Sequence, residues 1–212
     1  MKVAVIGSTR GTGKLLVEQL ANAGHDVRGM IRDPEQADAV RASGATPVVG
    51  DLEGDLSNVF EDVEAVAFCA GSGSSTGPDA TLRVDLHGAV RTIDLAVQAG
   101  ARRYVMLSSI RAGDPLSGRK EIWHYLAAKH GADRILEASG LGYTVVRPGG
   151  LTHDPGTGKV QIGVPSLPEF GPIPRADVAA VMAACLEDDH TIGKSFELIS
   201  GDTRIAEALK QL

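Results

Sequence analysis

Residues 2–24 read KVAVIGSTRGTGKLLVEQLANAG, and the three glycines in the middle decide the fold. An apolar run, Lys2 to Ile6, meets Gly7, Gly11 and Gly13, and an amphipathic run at helical spacing follows. A strand that hands over to a helix through Gly-x-x-x-Gly-x-Gly has a physical use. Gly7 permits a tight turn. Gly11 lets the main chain approach a diphosphate with no Cβ in the way, and Gly13 lets the helix lie against the strand. The helix start then offers free N–H groups and the positive end of its dipole. Thr9 and Thr12 add hydroxyl donors, and Arg10 adds charge. A nucleoside-triphosphate loop does not fit, because five residues separate Gly7 from Gly13 and Leu15 follows Lys14. A glycine cluster by itself is also compatible with a bare tight turn, so the surroundings matter.

Outward from that turn, strand-length apolar runs alternate with amphipathic segments. The strands expected are Lys2 to Ile6, Asp26 to Ile31, Thr46 to Val49, Ala65 to Cys69, Tyr104 to Ser108 and Tyr143 to Arg147. The first five lack polar alternation, as strands covered on both faces do. Helices are expected over Gly13 to Ala23, Pro34 to Ser43, Leu82 to Ala99 and Ile122 to Ser139, with glycines 24, 44, 100 and 140 as stop signals. Asp33 is the expected N-cap of the second helix, with Pro34 at its first position. Such alternation implies right-handed crossovers and a doubly wound parallel sheet between two helical layers, an α/β fold of three layers. One domain over residues 1–212 accounts for the length. The Gly- and Pro-rich stretch 149–175 breaks the rhythm. It is expected to contact substrate, or else to be a plain surface excursion.

A net charge of −6 argues against nucleic acid and anionic lipid as partners. No apolar segment approaches the roughly 18 residues of a membrane span, and MKVAVIG has too short an apolar run for a signal peptide. A reducing cytoplasm is the expected compartment. Cys69 and Cys185 lie in apolar runs and are expected to be buried small hydrophobes without a disulfide. His124, His130 and His153 show no metal-ligand spacing, and no metal is expected.

Successive strand ends offer groups suited to a nucleotide. The second strand ends in Arg32, where a carboxylate would hold the ribose 2′-hydroxyl of NAD. A guanidinium there pairs with a 2′-phosphate and stacks on adenine, so NADP(H) is expected over NAD(H). The plain alternative is a solvated surface charge. Asp51 and Leu52 follow the third strand; the carboxylate suits the adenine amino group and the leucine covers the ring, although Asp51 also suits a turn. Ala70 and Gly71 follow the fourth strand and let a cofactor pass closely. Pro148, where the sixth strand gives out, completes the candidate cofactor contacts.

The segment WHYLAAKHGADRIL places Tyr125 and Lys129 four apart, on one helix face. A nearby ammonium favours phenolate, so Tyr125 is expected to exchange a proton near neutral pH, and Lys129 to hold the nicotinamide ribose as well. Ser108 or Ser109, at the fifth strand's end, is the candidate hydrogen-bond donor to a substrate carbonyl. Tyr-x-x-x-Lys also arises by chance on amphipathic helices, as a half-buried tyrosine beside a surface lysine.

With these residues in place, the chain resembles the atypical short-chain dehydrogenases/reductases. The resemblance is to their small NAD(P)H-binding, NAD-dependent epimerase/dehydratase-like members, related to bacterial sugar epimerases and flavin-reductase-like proteins. It runs through VIGSTRGTG, MIRDPEQ, VVGDLEG, VDLHGAVRTIDLAVQAGARRYVMLSS, HYLAAKHGADRILEASGLGYTVVRPGGLT, PGTGKV and IPRADVAAVMAACL, nearly the whole chain. It implies a Rossmann fold and NADP(H) bound by the Gly7 to Gly13 turn, Arg32, Asp51 and the strand ends at Ala70 and Ser108. One departure is Arg10, where many members carry the middle glycine of Gly-x-x-Gly-x-x-Gly. Three functions follow as expectations. The first is a small oxidoreductase passing hydride from NADPH to a carbonyl, quinone or flavin-like acceptor. The second is a sugar epimerase or dehydratase, for which 64 residues after Pro148 leave little room. The third is a non-catalytic NADP(H) sensor acting through a protein partner. Pairing of the helices Leu82 to Ala99 and Ile122 to Ser139 between two copies is a possible homodimer contact.

Overall fold

In a computed structural model, described over residues 1–73 and 76–212, the chain opens with β1 (Lys2–Ile6) and α1 (Gly11–Asn22). It continues through β2 (Asp26–Ile31), α2 (Ala37–Ala42), β3 (Thr46–Val49), β4 (Ala65–Phe68), α3 (Pro78–Ala80), α4 (Ala89–Gln98) and β5 (Arg103–Leu107). Next come α5 (Trp123–Glu137), β6 (Gly142–Pro148), β7 (Gly150–Thr152), β8 (Lys159–Gly163), β9 (Pro172–Pro174) and α6 (Arg175–Glu187). The chain ends with β10 (Lys194–Ser200), β11 (Thr203–Arg204) and α7 (Ile205–Leu209). One sheet carries the order β11-β8-β10-β6-β5-β4-β1-β2-β3. The six strands read from the sequence run parallel in the order 3-2-1-4-5-6, with β10 added parallel beside β6, and the order reverses direction at β1 and opens a crevice there.

Why those strands lack polar alternation is visible in β1. Val3 and Val5 face a core with Leu16, Val17 and Leu20 of α1 and Val178, Val181 and Met182 of α6. Ala4 and Ile6 face the opposite core, with Ala89 and Ile93 of α4 and Ala132 and Leu136 of α5. Both faces are dry, so both sets of alternate residues are apolar. Asp33 caps the turn before α2 as expected, accepting from Glu35 N at 3.0 Å while the Gln36 side chain accepts from Asp33 N.

The structure differs from expectation in three places. The helix expected from Leu82 starts at Pro78, and residues Thr81–Gly88 wind as a π-helix before α4. A wider turn leaves no mark in the 3.6-residue spacing of apolar side chains. The stretch 149–175 is more than an excursion: β8 enters the main sheet antiparallel to β10, Ile162 opposite Leu198, while β7 and β9 form a two-stranded parallel sheet. Its Gly and Pro residues hid strands only three to five residues long. Cys69 is half-buried rather than buried, because β4 ends one residue before it; both cysteines are free thiols. The helices α4 and α5 lie side by side along a cleft that leaves Val97 and Ile135 exposed.

Candidate functional site

The turn between β1 and α1 uses its glycines in three different ways. Gly7 has φ +88°, and a Cβ there would lie 2.7 Å from Ala70 N. A Cβ on Gly13 would sit 2.0 Å from Gly7 O, so helix and strand touch main chain to main chain. Gly11 is fixed by its φ of +56°, since a Cβ there would meet nothing closer than an ordinary contact with Arg175 Nε at 3.6 Å. Ser8 donates to Met30 O at 2.7 Å and ties the turn to β2. Arg10 stands at the N-cap of α1 without a side-chain cap, and the first turn holds no acidic residue. The first N–H groups of α1 are therefore left to a ligand or water, at the positive end of the dipole. Thr12 departs from its expected role. Its hydroxyl is sealed inside with no partner among the described residues, so Thr12 offers the groove its main-chain N–H.

A groove of about 260 Å³ runs from this turn along the tips of β2, β3 and β4. That is below the roughly 300–1,000 Å³ of a whole ligand site, so it suits one end of a dinucleotide. Gly7, Thr9, Arg10, Arg32, Asp51, Leu52, Ala70 and Gly71 all line it. Arg10 and Arg32 are exposed, and neither forms an ion pair among the described residues. Glu53, another lining residue, is already paired with Arg83 at 2.7 Å. Asp51 serves its turn as well as the groove, since Oδ1 accepts from Glu53 N at 3.0 Å. Met30, Gln36 and Val84 also line the groove and carried no sequence signal. The residues present fit a nucleoside diphosphate: a cradle that Cβ atoms would fill, uncapped N–H groups, and two unpaired guanidinium groups.

Tyr125 and Lys129 of α5 do not line this groove, nor do Ser108 and Ser109. Tyr125 is half-buried, and its phenol is pushed up to about 12. Burial is the main cause and the Asp85 carboxylate adds to it, while the Ser109 hydroxyl works the other way by hydrogen bonding. The shift runs opposite to the one expected from a nearby ammonium, since burial dominates and Lys129 is not among the groups that act on the phenol. Lys129 is 2% exposed, with Nζ 5.6 Å from the centre of the Phe68 ring. Burial pushes its pKa down, and Asp85 and Asp133 hold it up.

The two serines separate by their partners. Ser108 donates to Asp133 Oδ2 at 2.8 Å, and Arg147 Nε donates to the same oxygen at 2.9 Å. Burial raises the Asp133 carboxyl, and Arg147 and Lys129 oppose it. Ser109 Oγ donates to Ile110 O at 3.3 Å, and its hydroxyl lies near enough to Tyr125 to lower the phenol's pKa. Pro148 is buried at the end of β6, its carbonyl accepting from Ile110 N at 2.8 Å behind the serine loop.

Asp85, Asp133, Arg147 and Glu197 escaped sequence reading. Asp133 continues the Tyr125–Lys129 spacing by four more residues on the same helix face. Arg147 and Glu197 each interrupt an apolar strand, which was the available signal. Glu197 accepts from Arg111 N at 2.7 Å and Leu167 N at 2.8 Å, joining the serine loop to the 149–175 stretch. Asp85 lies in the π-helix and accepts from Ser72 N at 3.0 Å. No cluster of three metal-ligating side chains occurs among the described residues, and none of their helices is long and apolar enough to cross a membrane.

Comparison with known proteins identifies the family. The NAD(P)H-binding family matches residues 7–189. A Bacillus subtilis (strain 168) protein called an uncharacterized sugar epimerase, YhfK, is 44% identical over 216 residues, covering all of both chains. The solved structure of a Bacillus halodurans protein, provisionally described as an NAD-dependent epimerase/dehydratase, is 43% identical, with TM-score 0.97 over all of both chains. The oxidoreductase ylbE from Lactococcus lactis is 30% identical, with TM-score 0.88 over 100% of this chain and 96% of its own.

Proposed function

Because this chain belongs to the NAD(P)H-binding family, within the atypical short-chain dehydrogenase/reductase group, we propose that it is a small NADPH-dependent reductase of a carbonyl, quinone or flavin-like acceptor. The observation that carries the cofactor choice is the pair of exposed guanidinium groups lining the groove, Arg10 at the start of α1 and Arg32 after β2, neither in an ion pair among the described residues. No acidic residue stands at the tip of β2 to take a ribose diol, since Asp33 is engaged as a cap. A 2′-phosphate meets complementary charge there, and Arg32 can stack on adenine.

NADPH, when bound, supplies the hydride. The glycine turn holds the diphosphate with main-chain N–H groups, and Leu52 covers the base. Tyr125 keeps its proton at neutral pH, because burial and Asp85 hold the phenol near 12. It therefore acts as the proton donor to the substrate oxygen. Ser109, whose hydroxyl lowers the Tyr125 pKa, is placed to donate to the developing phenolate by turning from Ile110 O. Lys129, buried on the same helix face, supplies positive charge beneath the Tyr125 side of the crevice and a hold for the ribose. Ser108 positions rather than reacts, with its hydrogen committed to Asp133.

Sugar epimerisation is the second reading, favoured by the name of the Bacillus subtilis relative. Against it, the chain after Pro148 is spent largely on β8, β10 and α6, which complete and cover the sheet, and little is left to grip a nucleotide-sugar. The test mixes protein and NADPH with a panel of quinones, flavins and aldehydes, and follows the reduced nicotinamide absorbance. Turnover that Tyr125→Phe abolishes supports the reductase. Tight NADPH binding without turnover on any acceptor overturns it in favour of a redox sensor, and interconversion of nucleotide-sugars with no net oxidation favours the epimerase.

A further inference from the structure

The first turn of α6 stands beside the glycine turn, although Arg175 lies 164 positions after Gly11. The helices α1 and α6 pack together, and Gln19 of α1 donates to Ala176 O at 3.3 Å. Arg175 is half-buried. Its Nη1 donates to the carbonyls of Leu151 and Thr152, each at 3.1 Å, and so grips β7. Its Nε and Nη2 make no hydrogen bond, and the side chain forms no ion pair, among the described residues. Nε and Cδ lie 3.6 Å and 3.8 Å from the point where a side chain on Gly11 would begin. The neighbouring carboxylate, Asp177, is turned away and taken up by Thr157 N and Gly158 N. A guanidinium with a free edge thus sits against the uncapped start of α1, where the main chain already favours an anion.

We propose that Arg175 is a ligand of the cofactor diphosphate, reaching it from the 149–175 side of the crevice. This rests on the dinucleotide reading of the groove. One side chain then joins the two halves of the site: Nη1 holds β7, and the free edge meets phosphate. Binding of the dinucleotide fixes Arg175, and through it the strand that begins the substrate-side stretch. Arg32 reads the 2′-phosphate, so it separates NADPH from NADH. Arg175 reads the diphosphate that both coenzymes share, so it does not.

Calorimetric titration of wild type, Arg175→Met and Arg175→Gln with NADPH, NADH and 2′-AMP tests this. Glutamine retains a donor for the β7 carbonyls, so it keeps the test open if the methionine variant does not fold. The expected result is an affinity loss of about tenfold or more for both dinucleotides. The affinity for 2′-AMP, which lacks the diphosphate, stays within twofold. The salt dependence of NADPH binding also becomes shallower in the glutamine variant. Dinucleotide affinities within twofold of wild type, or an equal loss for 2′-AMP, overturn the assignment of Arg175. Wild type that binds neither dinucleotide overturns the cofactor reading itself.

Discussion

The two ends of the crevice are built from different materials. At the β1–α1 end the shape is main chain: Gly7 and Gly13 bring backbone within reach of backbone, and the charges, Arg10 and Arg32, stand free in solvent. At the α5–β6 end the shape is side chain. Asp133, Arg147 and Lys129 are buried, and Asp133 already accepts from both Ser108 and Arg147. The first end leaves its charge for something else to neutralise, as a ligand-binding surface does. The second neutralises its charge internally and holds Ser108 in place without a ligand. Binding and rigidity are therefore divided between the two ends, and substitutions should separate them.

The largest effect is expected at Gly13. A Cβ 2.0 Å from Gly7 O has no flexible side chain to displace. Gly13→Val should cost at least ~3 kcal/mol, the upper range for overpacking, and a denaturant melt would show little or no folded protein. Arg32→Ala, at the same end, should leave the melt within ~0.5 kcal/mol of wild type. Equal stability losses in the two variants would erase the distinction between backbone and free charge.

At the other end, Arg147→Met removes the cation hydrogen-bonded to buried Asp133 and leaves Lys129, and breaking such a pair costs about 3–5 kcal/mol. The melt should shift by that amount, and NADPH affinity in the folded fraction should hardly change. A variant as stable as wild type would mean that the cluster is not the rigid frame described. Tyr125→Phe should lower the rate at least about a hundredfold, as removal of a proton donor does. Its cofactor affinity should match wild type by fluorescence titration.

The smallest effect concerns pH. The Tyr125 phenol is raised in the folded protein to about 12, so the folded state keeps its proton while the unfolded chain, near 10, loses it. That contribution to stability is complete below pH 10 and is lost as pH rises through about 12. Tyr104, fully buried and raised for the same reason, adds to the same fall. Chemical denaturation between pH 9 and 11.5 should show stability declining, less steeply in Tyr125→Phe. Superimposable slopes would place the Tyr125 phenol in an ordinary, solvated environment.

The same contrast explains what the sequence made legible. The β1–α1 turn was readable because glycine spacing reports directly on backbone geometry, and the parallel strands because burial of both faces makes their composition uniform. Arg32 and Asp51 could be placed because strand tips in such a sheet converge on one edge. The α5–β6 end was readable only where a helix repeat exposed it, at Tyr125 and Lys129. Asp133 and Glu197 act through residues 25 and 86 positions distant, Ser108 and Arg111, and no local spacing reports such contacts. Asp85 was hidden by a π turn, β8 by its shortness, and Arg175 by a helix packing visible only in three dimensions.

The most direct test of the account is a fluorescence titration of the wild-type protein with NADPH and then NADH, repeated on Arg32→Ala. The account predicts saturable binding of both coenzymes, tighter for NADPH, with the substitution removing about tenfold of NADPH affinity and little of NADH. Absence of saturable binding by either coenzyme, or an equal loss of both in the variant, would contradict it.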